Sequence, residues 1–497
     1  MFARTKASPV LVLAAVLLMA GLVQFPFSLN HDAAWHFYTA TRVLAGDRIG
    51  VDIADINPPM AMWLFSLPGL LVTQFAAPPA IVFRAFTLLV ALVAFAASLR
   101  SMQDMLGERG RGVLIAILGA FLLLPAYDFG QREHLAAFLL LPYACLAALP
   151  DERARPSVWR LLFIGALAGI GVCFKPYFLA IPLAVELWRM IDTRDWKSFL
   201  RVEILVMVAV GVLYLAAVAL FAPGYLFGVV PDALKTYSGY ERSFLAVALE
   251  VGSALLLPMI AFLLALIANP RCHRLSVAFL AVAFGFLVAA LVQQKGWAYQ
   301  TMPASLYVIA AATVQAAQAT RFRLLTAAAI AFACLFPVVL NLRDHLSPGG
   351  TSDRVARLET VFADPDVETV YAFMTSPRDM HPAVLSARRQ WADAYGVMMF
   401  LPAHLAALAA PPGDARAIEA ISISEAYLAG MLARFEAAPP DVLAFDMNPS
   451  KLGIANAIGF DYFTFLATYP GFDALLARYD EVAPVGRFRL FKRRPGA

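Results

Sequence analysis

Residues 28–47 read "SLNHDAAWHFYTATRVLAGD" and follow directly on the first long apolar run of the chain. The stretch sets one acid, Asp32, beside His31 and four residues ahead of His36. A carboxylate can take a proton from a hydroxyl, and an i, i+4 imidazole shares its helix face. Other concentrations of reactive side chains occur at "DIADINPP" (52–59), "YDFGQREH" (127–134), "FKPY" (174–177), "YSGYERS" (237–243) and "QQKGWAYQ" (293–300). Within them Arg132, Lys175, Lys295 and Arg242 supply cations, Asp55 and Glu133 further acids, His134 an imidazole and Tyr299 a phenol. Arginine suits bidentate phosphate recognition and lysine supplies a mobile point charge.

These segments need elements to hold them, and composition says which kind. Of 497 residues, 61% are hydrophobic and 15% charged, whereas soluble domains run to about 25% charged. The apolar residues fall in runs of roughly 16 to 22, the length that crosses a bilayer as a helix. Spans are expected near 9–27, 80–99, 112–127, 134–149, 159–174, 176–190, 202–221, 244–267, 275–292, 303–318 and 322–340, about eleven in all. The first follows Arg4 and Lys6 like a signal peptide, but no small-x-small cleavage site comes after it, so it reads as a retained anchor. The apolar segment 60–76, "MAMWLFSLPGLLVTQFA", is interrupted by Pro68 and Gly69 and is either a further span or an interfacial helix.

Charge placement chooses between them. If 60–76 does not cross, one set of loops holds Arg4/Lys6, Arg100/Arg109/Arg111, Arg153/Arg155/Arg160, Arg189/Arg194/Lys197/Arg201, Arg271/Arg274 and Arg321/Arg323. The opposite loops hold only Arg132, Lys175, Lys235, Arg242 and Lys295. Cytoplasmic loops carry the excess of Lys and Arg, so the N-terminus is expected in the cytoplasm and 28–79 as a long external loop with interfacial helices. The net charge of +4 adds nothing beyond this placement, and no nucleic-acid partner is expected. Cys145, Cys173, Cys272 and Cys334 are scattered through apolar runs or short basic loops, which implies no disulfide framework.

The expected fold class is therefore a polytopic α-helical membrane protein with a C-terminal extracytoplasmic α/β domain. Residues 1–341 form the transmembrane domain, including the loop 28–79, and 342–497 the soluble domain. In the latter, strand-like runs at 367–375, 441–447 and 486–494 alternate with helical stretches such as 383–395 and 415–435. No low-complexity tract or internal repeat is visible.

With this topology the unusual polar residues gather on one face of the membrane. Intramembrane charges are costly and usually functional, so the gathering suggests a cavity open to the outside. Several cations with few acids fit an anionic headgroup such as a lipid-borne phosphate. One carboxylate beside them matches displacement at a sugar phosphate: it takes the acceptor's proton while the cations stabilise the departing phosphate. Plainer readings stand beside these. Asp32 could N-cap the helix "AAWHFYTATRVLAG", and His36 could be merely solvated. Lys175 and Lys295 could be snorkelling anchors. Asn57-Pro58-Pro59 could be a stiff turn, and Arg132-Glu133 an internal ion pair. Asp32, His36, Glu133 and His134 are residue types a divalent metal could use, but nothing like HExxH is present and no cofactor is demanded.

The arrangement resembles the GT-C superfamily of membrane glycosyltransferases, in particular the branch of bacterial aminoarabinose transferases and protein O-mannosyltransferases. Those enzymes have an acid just after the first span, the position of Asp32 here. Their first external loop ends in a Pro-Pro element before an aromatic-rich helix, similar to "NPPMAMWL" (57–64). A Lys-Gly-Pro-like turn between spans looks like "FKPY", and a late Lys-Gly-aromatic-Tyr segment before a proline is similar to "QKGWAYQTMP" (294–303). Three features depart from the family. "HDAAWH" replaces a paired Asp-Glu, Asn57 rather than Lys precedes the prolines, and "GQREHLA" (130–136) replaces an Arg-x-Asp-type segment.

The resemblance implies a polyprenyl-phosphate-linked sugar donor, an acceptor hydroxyl on a lipid, glycan or protein, and an inverting displacement in the bacterial inner membrane. Asp32 would be the base, and Lys175, Lys295 and Arg132 the phosphate ligands. Glu133, His134, His36, Tyr299 and Asp55 would shape the sugar or acceptor site. An anionic-lipid flippase, or a polymerase or ligase using a diphosphate-linked glycan, is the alternative; the first would need a polar relay through the membrane, and mid-span charges are scarce.

Overall fold

The computed structural model describes residues 8–150, 156–454 and 459–496; Arg4, Lys6, Arg153 and Arg155 of the basic loops lie outside the described residues. Helices follow one another as α1 (Pro9–Gln24), α2 (His31–Leu44), α3 (Met60–Phe75), α4 (Pro79–Leu106), α5 (Arg109–Leu123), α6 (Arg132–Ala147) and α7 (Val158–Cys173). Then come α8 (Ala180–Thr193), α9 (Val202–Phe221), α10 (Val230–Thr236), α11 (Phe244–Ala268), α12 (Arg274–Val292), α13 (Ala298–Ala317) and α14 (Arg323–Leu346). Each apolar stretch read as a span carries a helix. Among the described residues, five helices are long and apolar enough to cross a membrane by length and composition: α4, α9, α11, α12 and the run Arg323–Phe362 that begins with α14. Segment 60–76 is one helix, α3, that continues through Pro68.

The chain divides into two compact units. The first comprises residues 1–27, 83–216 and 242–345. At its centre runs α6, buried along its whole length and packed against α7, α8, α12 and α13. Beyond its first turn α6 is apolar on every side, which suits the inside of a bundle rather than its surface. Here the Tyr307 hydroxyl of α13 also donates to the Ala137 carbonyl of α6 at 2.8 Å.

The second unit joins three distant segments, residues 28–82, 217–241 and 346–497. Its core is a five-stranded sheet of β1 (Thr369–Phe373), β2 (Gln390–Trp391), β3 (Val442–Asp446), β4 (Tyr479–Val485) and β5 (Phe488–Arg493), in the order β2-β1-β3-β5-β4. β1 runs parallel to both β2 and β3, and β3–β5–β4 are antiparallel. Every residue of β3 is buried, which a central strand covered on both faces requires. The helices here are α15 (Thr351–Phe362), α16 (Met380–Ala387), α17 (Leu401–Leu408) and α18 (Ala415–Ala437). The helix expected over 383–395 is corrected: α16 stops at Ala387 because Arg388 takes a left-handed φ of 56°. The chain then turns into β2 at the sheet edge. Loop 48–53 is seated on residues 224–225, where Gly50 at φ +87° has no room for a Cβ, which would fall 1.9 Å from the Tyr225 nitrogen.

Candidate active site

In the second unit the expected residues gather around the N-terminus of α2. Asn30, not Asp32, is the cap: it has extended backbone (ψ 142°) and its side chain accepts the Asp32 N–H at 2.9 Å. Asp32 already sits inside the first turn, so its carboxylate is not spent on capping. It lies at the positive end of the helix dipole, which favours the ionised form. His31 Nε2 is 3.7 Å from Asp32 Oδ1, with the two side chains 15% and 20% exposed. Burial lowers the His31 pKa below its ordinary value, and Asp32 opposes the shift; Arg378 and Arg487 add to it and Asp379 opposes it.

Those charges belong to the carboxyl ends of the parallel strands. Arg378 and Asp379 follow β1, Asp446 ends β3, and Arg487 enters β5. Arg487 donates to the carbonyls of Ser376 and Arg378 at 3.1 and 3.2 Å and lies 3.6 Å from Asp446. Asp379 receives both arms of Arg354 at 2.9 and 3.0 Å. From β1 the chain reaches β2 on one side and β3 on the other. That switch in direction opens the crevice where open α/β sheets receive ligands.

Aromatic packing fixes α2 against this end of the sheet. The Trp35 ring lies 4.6 Å from His381 and 6.5 Å from Trp391, and the Trp391 N–H donates to the Tyr38 hydroxyl at 2.7 Å. A Cβ on Gly396 would come within 2.9 Å of Trp35 and 3.1 Å of His381. Burial holds the His381 pKa down at about 3, with His31 adding to the shift and Asp32 opposing it. Asp55 is the organiser of the other face. Its Oδ2 accepts the Trp35 indole N–H at 2.7 Å and lies 3.5 Å from His36 Nδ1, and its Oδ1 accepts both the backbone and side-chain N–H groups of Asn57 at 2.8 and 2.7 Å. The solvated reading of His36 does not hold, since it is 1% exposed.

The first unit holds the other group. Arg132, Glu133 and His134 occupy the opening turn of α6, and they are buried together with Lys175, Lys295 and Tyr299. Lys175 Nζ is 2.5 Å from Glu133 Oε1 and donates to Gln293 Oε1 at 3.1 Å, with the Tyr299 ring 5.5 Å away. Gln300 donates to the same Gln293 oxygen at 3.1 Å. Lys175 is thus set in place by a carboxylate, an amide and a ring face, which the snorkelling alternative does not describe. His134 spends both ring nitrogens on backbone: the Gly130 N–H donates to Nδ1 at 3.0 Å, so Nε2 carries the proton and donates to the Phe121 carbonyl at 2.7 Å. Arg242 joins the segment of Gln293 and Gln300 by its backbone N–H, which donates to the Gln294 carbonyl at 2.8 Å, while its side chain pairs with Glu250 at 2.7 Å, both 44% exposed.

Among the described residues, no three His, Cys, Asp or Glu side chains group as a metal site would require. Sequence reading passed over Gln293 and Gln300, although both lie in the quoted run "QQKGWAYQ". It also passed over Arg378, His381 and Arg487, which carry no local signal because only the folded sheet brings them to α2.

Among the described residues the chain is mostly helical, with several helices long and apolar enough to cross a membrane, and its fold has likenesses among solved structures. One protein of known structure that it is similar to is ArnT, the aminoarabinose transferase from Cupriavidus metallidurans. The structure of that protein bound to undecaprenyl phosphate matches with a TM-score of 0.65 at 13% identity, covering 99% of each chain. The apo state of the same protein matches with a TM-score of 0.59 at 14% identity over 98% of each chain. The resemblance expected from the motifs is thus upheld at the level of fold. No protein-family model and no curated protein matches the sequence.

Proposed function

We propose that this protein is a membrane glycosyltransferase that moves a sugar from a polyprenyl-phosphate carrier to an acceptor hydroxyl, with inversion at the anomeric carbon. The observation that carries the reading is Asp32: a carboxylate at a helix N-terminus, relieved of capping by Asn30, with the His31 imidazole 3.7 Å away. Asp32 takes the proton of the acceptor hydroxyl. The acceptor oxygen bonds to the sugar's anomeric carbon as the bond from that carbon to the phosphate oxygen breaks. The electron pair leaves on the polyprenyl phosphate. Arg132, Lys175 and Lys295 are buried cations of the first unit, Lys175 beside Glu133, and they are assigned to the phosphate, whose charge grows as it departs. Gln293 and Tyr299 hold Lys175, Gln300 holds Gln293, and the three border the sugar. His134 and Asp55 act as positioning residues, and His36 is held through Asp55.

The likeness to a structure with bound undecaprenyl phosphate supports a lipid donor of that class. The charge map supports eleven spans in the bacterial inner membrane, a cytoplasmic N-terminus and an extracytoplasmic domain from residue 342 on. The test is mass spectrometry of lipid that co-purifies with the full-length protein. Polyprenyl phosphate is expected with the wild type and with Asp32→Asn, and strongly reduced with Lys295→Ala. Wild-type protein that carries no such lipid and releases none from a polyprenyl-phosphate-sugar fraction would overturn the assignment.

A further inference from the structure

The second unit contains a cavity of about 410 Å³ that the transfer reaction does not use. It is lined by Asp232 of α10, by Tyr395 and Phe400, and by Ser422, Ile423 and Tyr427 of α18. Ligand pockets typically measure about 300–1,000 Å³ and combine aromatic walls with a few polar groups.

The geometry of the rings limits what can sit there. Tyr395, Phe400 and Tyr427 pack edge-to-face on one another, with centroids 5.0, 5.1 and 5.2 Å apart. Rings so close leave no gap between them for a cation, so they form a wall and not a cage. The Tyr427 hydroxyl donates to Asp393 at 2.7 Å, which locks the orientation of that ring. Among the described residues no cation lines the cavity; the nearby Lys235 is paired with Glu419 at 2.7 Å. Asp232 therefore repels anions, and its carboxylate with the Ser422 hydroxyl rejects a purely hydrocarbon occupant. What remains is a neutral ring with one apolar face and a rim of hydroxyls.

We infer that this cavity binds one neutral sugar ring, with its C–H face on the Tyr395–Phe400–Tyr427 wall and its hydroxyls on Asp232 and Ser422. The wall is tied directly to the candidate active site. Tyr395 forms a parallel β-bridge with Ala54, whose N–H donates to the Ala394 carbonyl at 2.9 Å. The next residue is Asp55, which holds Trp35 and His36 of α2. Naming this sugar as part of the acceptor rests on the glycosyl-transfer reading; its binding does not.

Saturation-transfer NMR on the full-length protein in lipid nanodiscs tests the site without any transfer reaction. The probes are the methyl glycosides of glucose, galactose and mannose, a linear glucose trisaccharide, and trimethylammonium as the cationic control. At least one sugar should receive saturation at its ring protons. Ser422→Trp, which fills the cavity from an exposed helix position, should abolish the signal. Asp232→Asn should weaken binding about ten-fold, as loss of one charged hydrogen bond implies. A response from the trisaccharide alone marks a glycan chain as the ligand, and equal responses mark a single sugar. No sugar signal, a signal that survives Ser422→Trp, or preference for trimethylammonium overturns the inference. Sugar binding in a protein that transfers nothing would remove the transferase reading and leave this one standing.

Discussion

Asn30 and Asp32 offer a direct separation of helix capping from chemistry. Asn30→Ala deletes the acceptor of the Asp32 N–H, and loss of such a cap costs about 1 kcal/mol. Local opening of α2 should then rise about five-fold, read as faster hydrogen exchange in a peptide covering residues 28–44. Asp32→Asn keeps the side-chain shape and loses the attraction of a partly exposed carboxylate to the helix N-terminus, about 0.5 kcal/mol. That corresponds to roughly a two-fold rise in exchange. Transfer should respond in the opposite order. Removal of a general base costs about 10²- to 10⁴-fold in rate, so Asp32→Asn should be nearly inactive. Asn30→Ala should stay within about two-fold of wild type, because a helix that opens five times more often is still closed almost always. Turnover is followed as polyprenyl phosphate released from a polyprenyl-phosphate-sugar fraction. If Asp32→Asn loosens α2 as much as Asn30→Ala and retains its turnover, Asp32 is a structural residue and the proposed mechanism fails.

Two further outcomes follow from buried charge. Lys175→Met takes the ammonium from the Glu133 carboxylate inside the helical bundle and Glu133→Gln takes the carboxylate from the ammonium, each at about 3–5 kcal/mol. The double variant should be more heat-resistant in nanodiscs than either single one, and additive losses would mean that the 2.5 Å pair is not coupled. His381 titrates near 3 in the folded protein against an ordinary value of 6.5. The unfolded chain therefore binds the extra proton first, and stability falls as pH drops from about 6.5 towards 3, by up to about 1.4 kcal/mol per pH unit. His31 contributes with the same sign. His381→Phe, which keeps an aromatic ring against Trp35, should flatten that slope in acid-unfolding experiments. A slope identical to wild type would show that His381 is not the group held neutral.

What could be read from the sequence follows from the range of the forces involved. Apolar runs are a local property, so each expected span carries a helix, and strands near 369–373, 442–446 and 488–493 fall where β-rich runs stood out. Local ambiguity defeated the finer assignments. Asn30 and Asp32 are equally good caps by type, and only the backbone at Asn30 chooses between them. The run 383–395 looked helical because nothing in it signals that Arg388 adopts a left-handed turn. The partners of the site residues were illegible for a different reason, which is separation along the chain. Glu133 meets Lys175, Lys175 meets Gln293, and Trp35 meets His381 and Trp391. Such pairs are set by how helices pack and where the sheet switches direction, and a single sequence encodes neither in any window. The reactive residue types were nonetheless visible in advance, because charge inside an apolar chain is costly and so is rarely placed there without a use. Composition can thus nominate Asp32, Arg132, Lys175 and Lys295. The fold must then say what each is held by, and this decides which of them are left to act on a substrate.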